Sequence, residues 1–211
     1  MKRQKPSFAE EKSLRAQGYQ FIAGVDEVGR GALMGPVLAA AVILPDSFRA
    51  RWKSRVRDSK QLTHEVREYL FDFIKEIAIS FGIGESSNDV IDAIGIARAT
   101  KLAMISAIEQ LNPAPHFLLI DYLHLEETTL PQKGITHGDS QCFSIACASI
   151  IAKVTRDRLV TEMDKDYPGY GFAGHKGYGT EEHLKCLREK GPCRLHRRSF
   201  SPVTEIIGWE S

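Results

Sequence analysis

Thiols are scarce in this chain. Four cysteines in 211 residues, none in a C-x-x-C pair and none matched by a histidine spacing, leave little for a disulfide framework or a thiolate zinc site. Cys142, Cys147, Cys186 and Cys193 read as reduced thiols, as in a cytosolic protein. No run of eighteen apolar residues occurs, and the basic residues 1–6 lead into Glu10, Glu11 and Lys12 rather than an apolar stretch. Neither a membrane span nor a secretory leader is expected, and the protein is expected in the cytoplasm. Excess charge is missing as well: 28 Lys and Arg stand against 27 Asp and Glu, a net of +1. Whole-molecule charge therefore does not announce a nucleic-acid binder. Local clusters still can, at residues 49–60 and 185–198, although such clusters are more often solvated faces. There are no repeats and no low-complexity tract.

What is present is an ordinary globular composition, 43% hydrophobic and 26% charged, over a length that fits one domain with residues 165–211 or so as a helical or loop appendage. Residues 7–17 form a short polar helix closed by Gly18. Residues 19–25 and 37–44 are strands, the second ended by Pro45. Asp58-Ser59-Lys60 opens a helical turn, and Thr63 caps a helix with Leu70, Phe71, Phe73, Ile74 and Ile77 on its apolar face. Residues 78–84 form a third strand. A helix capped by Asn88 or Asp89 runs to Leu111, and Gly95 within it marks a close approach of the backbone to a ligand or partner. Residues 117–120 are a buried strand, 125–137 a loop or edge strand, and 144–163 a helix rich in small residues. A loop follows at 168–174, and Thr180 starts the last clear helix, which Gly191-Pro192 breaks. Strands alternate with helices, but the first two strands are joined too closely for a crossover. The expected fold is α/β, a mixed sheet flanked by helices.

The chemistry concentrates at Gly24-Val25-Asp26-Glu27-Val28-Gly29-Arg30-Gly31. Two adjacent carboxylates end a buried strand, and a Gly-Arg-Gly turn follows. Neighbouring strand residues face opposite ways, so Asp26 and Glu27 can share a site only where the strand frays or bulges, or where one reaches in from the edge. Asp121 ends a later strand, and Asp139 precedes the long helix. Strand ends gather ligands in open α/β sheets, and crowded carboxylates with hard oxygen donors suit a divalent cation. Each acid also has a plainer role, as a turn residue or a helix cap.

These motifs resemble the bacterial ribonuclease HII family. GVDEVGRG, Asp58-Ser59-Lys60, Gly138-Asp139-Ser140, the run Ala148-Ser149-Ile150-Ile151-Ala152-Lys153-Val154-Thr155-Arg156-Asp157 and His175-Lys176-Gly177-Tyr178-Gly179-Thr180 stand in the family's order across residues 21–180. The resemblance implies a ribonuclease H-like fold and a metal-binding, catalytic tetrad of Asp26, Glu27, Asp121 and Asp139 holding Mg²⁺ or Mn²⁺. It implies backbone recognition of a ribose 2′-hydroxyl by Gly29, Arg30 and Gly31, a phosphate contact by Lys60, and stacking of Tyr178 on a deoxyribose. Lys153 and Arg156 touch phosphate or pair with Asp157. The implied substrates are RNA–DNA hybrids and duplex DNA carrying single ribonucleotides, cut by a monomer to leave 3′-hydroxyl and 5′-phosphate ends. Arg30 argues against the sister ribonuclease HIII, which tends to carry threonine there. One departure stands out: the third motif usually reads Asp-Gly, and here it is Asp121-Tyr122.

Two other readings compete. Proofreading-type exonucleases usually carry Asp-x-Glu and lack the Gly-Arg-Gly turn. A hybrid-binding protein without catalysis would need to have lost the chemistry through Tyr122, yet all four acids are retained.

Overall fold

A computed structural model describes residues 5–208; most of the basic start read against a secretory leader, residues 1–4, lies outside them, as does the tail 209–211. The order of elements is α1 (Ala9–Ala16), β1 (Ile22–Val28), β2 (Val37–Ile43), two short 3₁₀ turns (Arg51–Arg55 and Ser59–Gln61), α2 (His64–Ile77), β3 (Ser80–Ser86), α3 (Asn88–Ile94), α4 (Ile96–Glu109), β4 (Phe117–Asp121), β5 (Gln132–Ile135), α5 (Gly138–Gln141), α6 (Phe143–Asp166), α7 (Phe172–His175), α8 (Glu181–Lys190) and α9 (Val203–Ile207). The sheet order is β3-β2-β1-β4-β5. β1 pairs antiparallel with β2 and parallel with β4, so the sheet is mixed, as the short β1–β2 connection requires. Residues 125–137 do supply an edge strand, β5, parallel to β4.

The two faces of the sheet follow from strand alternation. Ala23 and Val25 of β1 join Ala39 and Ala41 of β2 and Leu118 and Ile120 of β4 against α4. On the other face Leu38, Ala40 and Val42 pack against α2 and α6. α6 shows no apolar stripe because residues 143–152 are all buried, and a helix apolar all round belongs in the interior. Its small residues let it lie close on β1. A Cβ on Gly24 would come within 2.2 Å of the Ser144 carbonyl carbon, so only glycine fits there.

α2 begins where Thr63 is placed to cap it, with its hydroxyl accepting from the Val66 N–H at 3.4 Å. Gly95 does more than interrupt a helix. At φ 80° it divides α3 from α4. A Cβ there would meet no atom within 4 Å, so the glycine serves the left-handed turn and not a close approach. α1 is polar as expected, yet Glu11 on it is buried. Its carboxylate accepts from the Ser144 N–H at 2.8 Å and from the Cys142 thiol at 3.2 Å, placing negative charge at the N-terminus of α6. All four cysteines are free. Among the described residues no helix is long and apolar enough to cross a membrane.

Candidate active site

Register brings the first two acids together. Val25 of β1 lies opposite Ile120 of β4, so the next residues, Asp26 and Asp121, are level at the ends of parallel strands. Alternation turns both away from the α4 face and toward α6, since Val25 and Ile120 face α4. Asp139 arrives from α5, whose first residue is tied to the strand end: the Gly138 N–H donates to Asp121 Oδ1 at 2.7 Å. One oxygen each from Asp26, Asp121 and Asp139 lie within 4.8 Å of one another.

Glu27 does not join this trio. β1 neither frays nor bulges: Asp26 pairs with Ala40, Glu27 with Ala39 and Val28 with Leu38 in unbroken register. Glu27 therefore faces the other way, and Arg30 Nη1 bonds its Oε1 at 3.3 Å. Its second oxygen is buried without a hydrogen-bond partner. Since β4 pairs with β1 only as far as Val25, the last residues of β1 project past that neighbour, and Glu27 stands at the rim of the same site.

The electrostatics of the cluster are unbalanced. Burial pushes the Asp26 carboxyl well above the usual range, Glu27 and Asp121 push it further, and a bond from Ser149 opposes them. Burial also raises Asp121, against the bond from Gly138 and the charge of Lys60. Asp139 is raised to about 6, first by burial and then by Asp58 and Asp121. Glu27 is raised by burial despite Arg30. The cation nearest Asp139 is Lys60, whose Nζ stands 3.7 Å from Oδ2 on a largely exposed side chain. Burial would lower Lys60, but Asp58, Asp139, Asp26 and Asp121 outweigh it and hold its pKa up. Three crowded oxygen donors, each with its carboxyl raised above the ordinary range, fit a hard divalent cation, which favours carboxylate ligands and would relieve their repulsion.

Beside the trio lies an open cavity of about 540 Å³ whose walls include Arg30, Gly31, Lys60, Lys153 and Tyr178. The Gly-Arg-Gly turn forms one wall. Gly29 has φ 89°, and a Cβ there would sit 2.1 Å from Arg156 Nε, so both backbone and space demand glycine. A Cβ on Gly31 would meet open space. Among the described residues neither the Arg30 nor the Gly31 N–H donates to a backbone carbonyl, which leaves two main-chain donors beside the cavity. Tyr178 pairs through its backbone with Ala32, and Lys153 and Arg156 lie 5.6 and 5.5 Å from its ring. Lys60 belongs to the 3₁₀ turn opened by Asp58, whose Oδ1 accepts from the Lys60 N–H at 2.9 Å.

Several polar residues behave differently from their sequence reading. Lys153 does pair with Asp157, at 2.8 Å, and Arg67 approaches the same carboxylate at 3.8 Å. Arg156 does not pair with it. That side chain is fully buried and donates to the carbonyls of Pro36, Lys176 and Met34. Arg197, counted above among a surface basic cluster, is also fully buried, donating to the carbonyls of Gly35 and Arg30. In the other cluster Lys53 and Arg57 are spent on local carbonyls. Ser149 and Asp58 were given no part in the site by sequence alone. Ser149 is one of two hydroxyls, with Ser144, in the buried start of α6, and it bonds the Ser59 hydroxyl at 2.8 Å as well as Asp26. Tyr122, after Asp121, takes φ 60° and leaves the carboxylate in place.

Comparisons with known proteins place the chain in a family and a fold. The family model for ribonuclease HII matches residues 23–203. A ribonuclease HII from Dehalococcoides mccartyi is 57% identical over 202 residues, covering 96% of this chain and 96% of that protein. Among solved structures, the ribonuclease H2 of Pyrococcus horikoshii superposes with a TM-score of 0.74 at 24% identity, over 88% of this chain and 96% of that one, a likeness of fold. The ribonuclease HII of Archaeoglobus fulgidus, solved in complex with PCNA, gives a TM-score of 0.73 at 26% identity over 88% and 96%.

Proposed function

Because the chain belongs to the ribonuclease HII family, we propose that it cuts the phosphodiester on the 5′ side of a ribonucleotide in duplex DNA, leaving 3′-hydroxyl and 5′-phosphate ends. Family membership makes it a ribonuclease H, a hydrolase of RNA in RNA–DNA hybrids. The finer reading adds ribonucleotide removal in DNA repair and RNA primer processing in the cytoplasm. It treats residues 1–211 as one catalytic domain working as a monomer. The observation that carries it is the convergence of Asp26, Asp121 and Asp139 within 4.8 Å, next to a cavity walled by the Gly29–Gly31 turn and Tyr178.

Asp26, Asp121 and Asp139 would hold Mg²⁺ or Mn²⁺, with the unpartnered oxygen of Glu27 as a fourth ligand. Such a cation, when bound, supplies Lewis acidity and a more acidic water. The remaining work falls to the chain itself. The Arg30 and Gly31 N–H groups meet the ribose 2′-hydroxyl, the group that distinguishes RNA from DNA. Lys60 and Lys153 neutralise phosphate along the cavity. The Tyr178 ring packs on the sugar of the next nucleotide and leaves no space for a 2′-hydroxyl, so a deoxyribose is favoured there.

The test is cleavage of a duplex with one embedded ribonucleotide, with and without Mg²⁺ or Mn²⁺, and with the ends of the product identified. Metal-dependent cutting 5′ of the ribonucleotide is expected. A protein that cuts an all-RNA strand on DNA but leaves this duplex intact, or cuts it on the 3′ side, overturns the finer reading.

A further inference from the structure

Beneath Tyr178 lies a polar cluster that the proposed chemistry does not use. The backbone of residues 32–35 is flanked on both sides. The Leu33 N–H donates to the Gly177 carbonyl at 2.8 Å, and Ala32 bridges Tyr178. On the other side the Gly35 N–H donates to Leu195, the Arg197 N–H to Leu33, and Met34 bridges His196. The two flanks also meet each other, through His183 and His196, whose Nε2 atoms are 3.1 Å apart. Both rings are 0–1% exposed, so neither acts as a surface histidine.

The hydrogen bonds fix one proton on each ring. The Cys193 N–H donates to His196 Nδ1 at 2.9 Å, so that nitrogen is bare and the His196 proton sits on Nε2. That N–H faces His183 Nε2, which must accept. The His183 proton is then on Nδ1, where it donates to the Tyr178 carbonyl at 2.9 Å. The result is a one-way chain from the Cys193 N–H to the Tyr178 carbonyl, in which a further proton on either ring would set two donors face to face.

We infer that His183 and His196 are positioning residues for Tyr178: a neutral imidazole pair that holds its backbone, and through it the ring, at the level of the Gly-Arg-Gly turn, and so sets substrate preference without entering the cleavage step. The inference rests on the reading of Tyr178 as the deoxyribose contact. The surroundings keep the pair neutral. His175 stacks on His183 at 4.2 Å, and Phe172 lies against both rings. The Cys193 thiol is 3.2 Å from His196 Nδ1, and Tyr170 packs on the His196 ring. Across a small cavity His196 shares walls with Asp89, Asp92, Arg194 and Arg198, but the Asp92 carboxylate is engaged by the N–H groups of Arg198 and Ser199. Burial accordingly lowers both imidazoles, His196 to about 4.

The test measures kcat/KM on a single embedded ribonucleotide and on an all-RNA strand paired with DNA. In His183→Phe the ratio of the two should fall by about 3- to 10-fold, the equivalent of one ordinary hydrogen bond, with the all-RNA rate within about twofold of wild type. His183→Asn keeps an amide N–H where Nδ1 stood and should restore the ratio to within about twofold. In a Tyr178→Ala background His183→Phe should lower the ratio no further. Nitrogen NMR of the imidazoles should show the Nδ1–H tautomer for His183 and the Nε2–H tautomer for His196, with both rings neutral at pH 7 and His196 still neutral at pH 5. An equal loss on both substrates overturns the inference, as does a ring that titrates near 6.5. If Tyr178→Ala leaves the ratio unchanged, the stacking reading itself fails. If Tyr178→Ala lowers it and His183→Phe does not, only the histidine pair is discarded.

Discussion

Two polar clusters border the Gly29–Gly31 turn, one on each side, and their internal balances are opposite. On the sheet side Asp26, Asp121 and Asp139 crowd like charges together, with every carboxyl pushed upward although Lys60 approaches Asp139. On the C-terminal side Arg156, Arg197, His183 and His196 are at least as deeply buried, yet almost all their polar atoms are matched to carbonyls or to each other. Buried polar groups are normally satisfied, so the matched cluster behaves as scaffold, and the mismatched one is where a missing charge belongs. What the comparison teaches is that burial alone does not mark an active site. Unrelieved repulsion among buried groups does.

The largest effect should come from relieving the mismatch chemically. Asp26→Asn and Asp139→Asn should reduce cleavage to background in Mg²⁺ while leaving substrate binding largely intact. Without metal both variants should melt at or above the wild-type temperature, because one repelling charge is gone. A variant that still cuts within a few-fold of wild type would remove that acid from the metal centre. The same change made in the matched cluster should do the reverse. Burial and the neighbouring Arg156 pull Arg197 down to about 9, still protonated at neutral pH, and its charge rests on the Gly35 and Arg30 carbonyls. Arg197→Met keeps the bulk but strands both acceptors, so unfolding stability in urea should drop by roughly 2–5 kcal/mol. An unchanged urea midpoint would show that the backbone of residues 30–35 is not held by that guanidinium.

Acidity offers a gentler probe of the same contrast. Asp139 is held at about 6, above the ordinary aspartate range. A carboxyl raised in the folded state favours folding below its ordinary value and loses that contribution as pH rises through its folded one. The melting temperature of the metal-free protein should therefore fall between about pH 4 and 6, and Mg²⁺ should recover it. Asp139→Asn should flatten the fall. A wild-type profile without that slope would mean that the carboxylates are not in conflict.

How much of this was legible beforehand varies with the range of the interaction. Local signals carried the fold: the apolar run ending at Asp121, the Thr63 cap and the short β1–β2 link all lie within a few residues of what they predict. Asp26 and Asp121 were legible because each directly follows an apolar run, and Asp139 because it precedes the long helix, all three within motifs that resemble a known family. Glu27 was placed with them by the family resemblance, and strand alternation turns it from the trio to the rim of the same site. The scaffold was the least legible part. Arg156 reaches Pro36 across 120 residues and Arg197 reaches Gly35 across 162, and nothing near either arginine distinguishes it from a solvated one. Glu11 likewise reads as surface until the start of α6 is seen above it.

The smallest prediction contrasts backbone strain in the two regions. Each has a non-glycine residue in the left-handed region, Tyr122 at φ 60° beside the carboxylates and Lys176 at φ 54° beside Arg156. Lys176 is held at several points: its N–H donates to Phe172, its carbonyl accepts from Arg156, and its Nζ donates to the Thr161 hydroxyl at 2.7 Å. Tyr122 has its N–H on the Ile135 carbonyl at 3.0 Å, and the residue is 68% exposed. A left-handed conformation costs a residue with a Cβ roughly 1–2 kcal/mol, and glycine gives back about half of that in chain entropy. Tyr122→Gly should thus stabilise the metal-free protein by up to about 1 kcal/mol, since little buried surface goes with the ring. Lys176→Gly gains the same relief but loses the Thr161 bond, worth about 1 kcal/mol, so its net change should be near zero or unfavourable. Paired urea titrations decide it. If Tyr122→Gly is the more destabilised of the two, the exposed ring makes a contact that outweighs its strain, and the division into a mismatched site and a matched scaffold does not extend to the backbone.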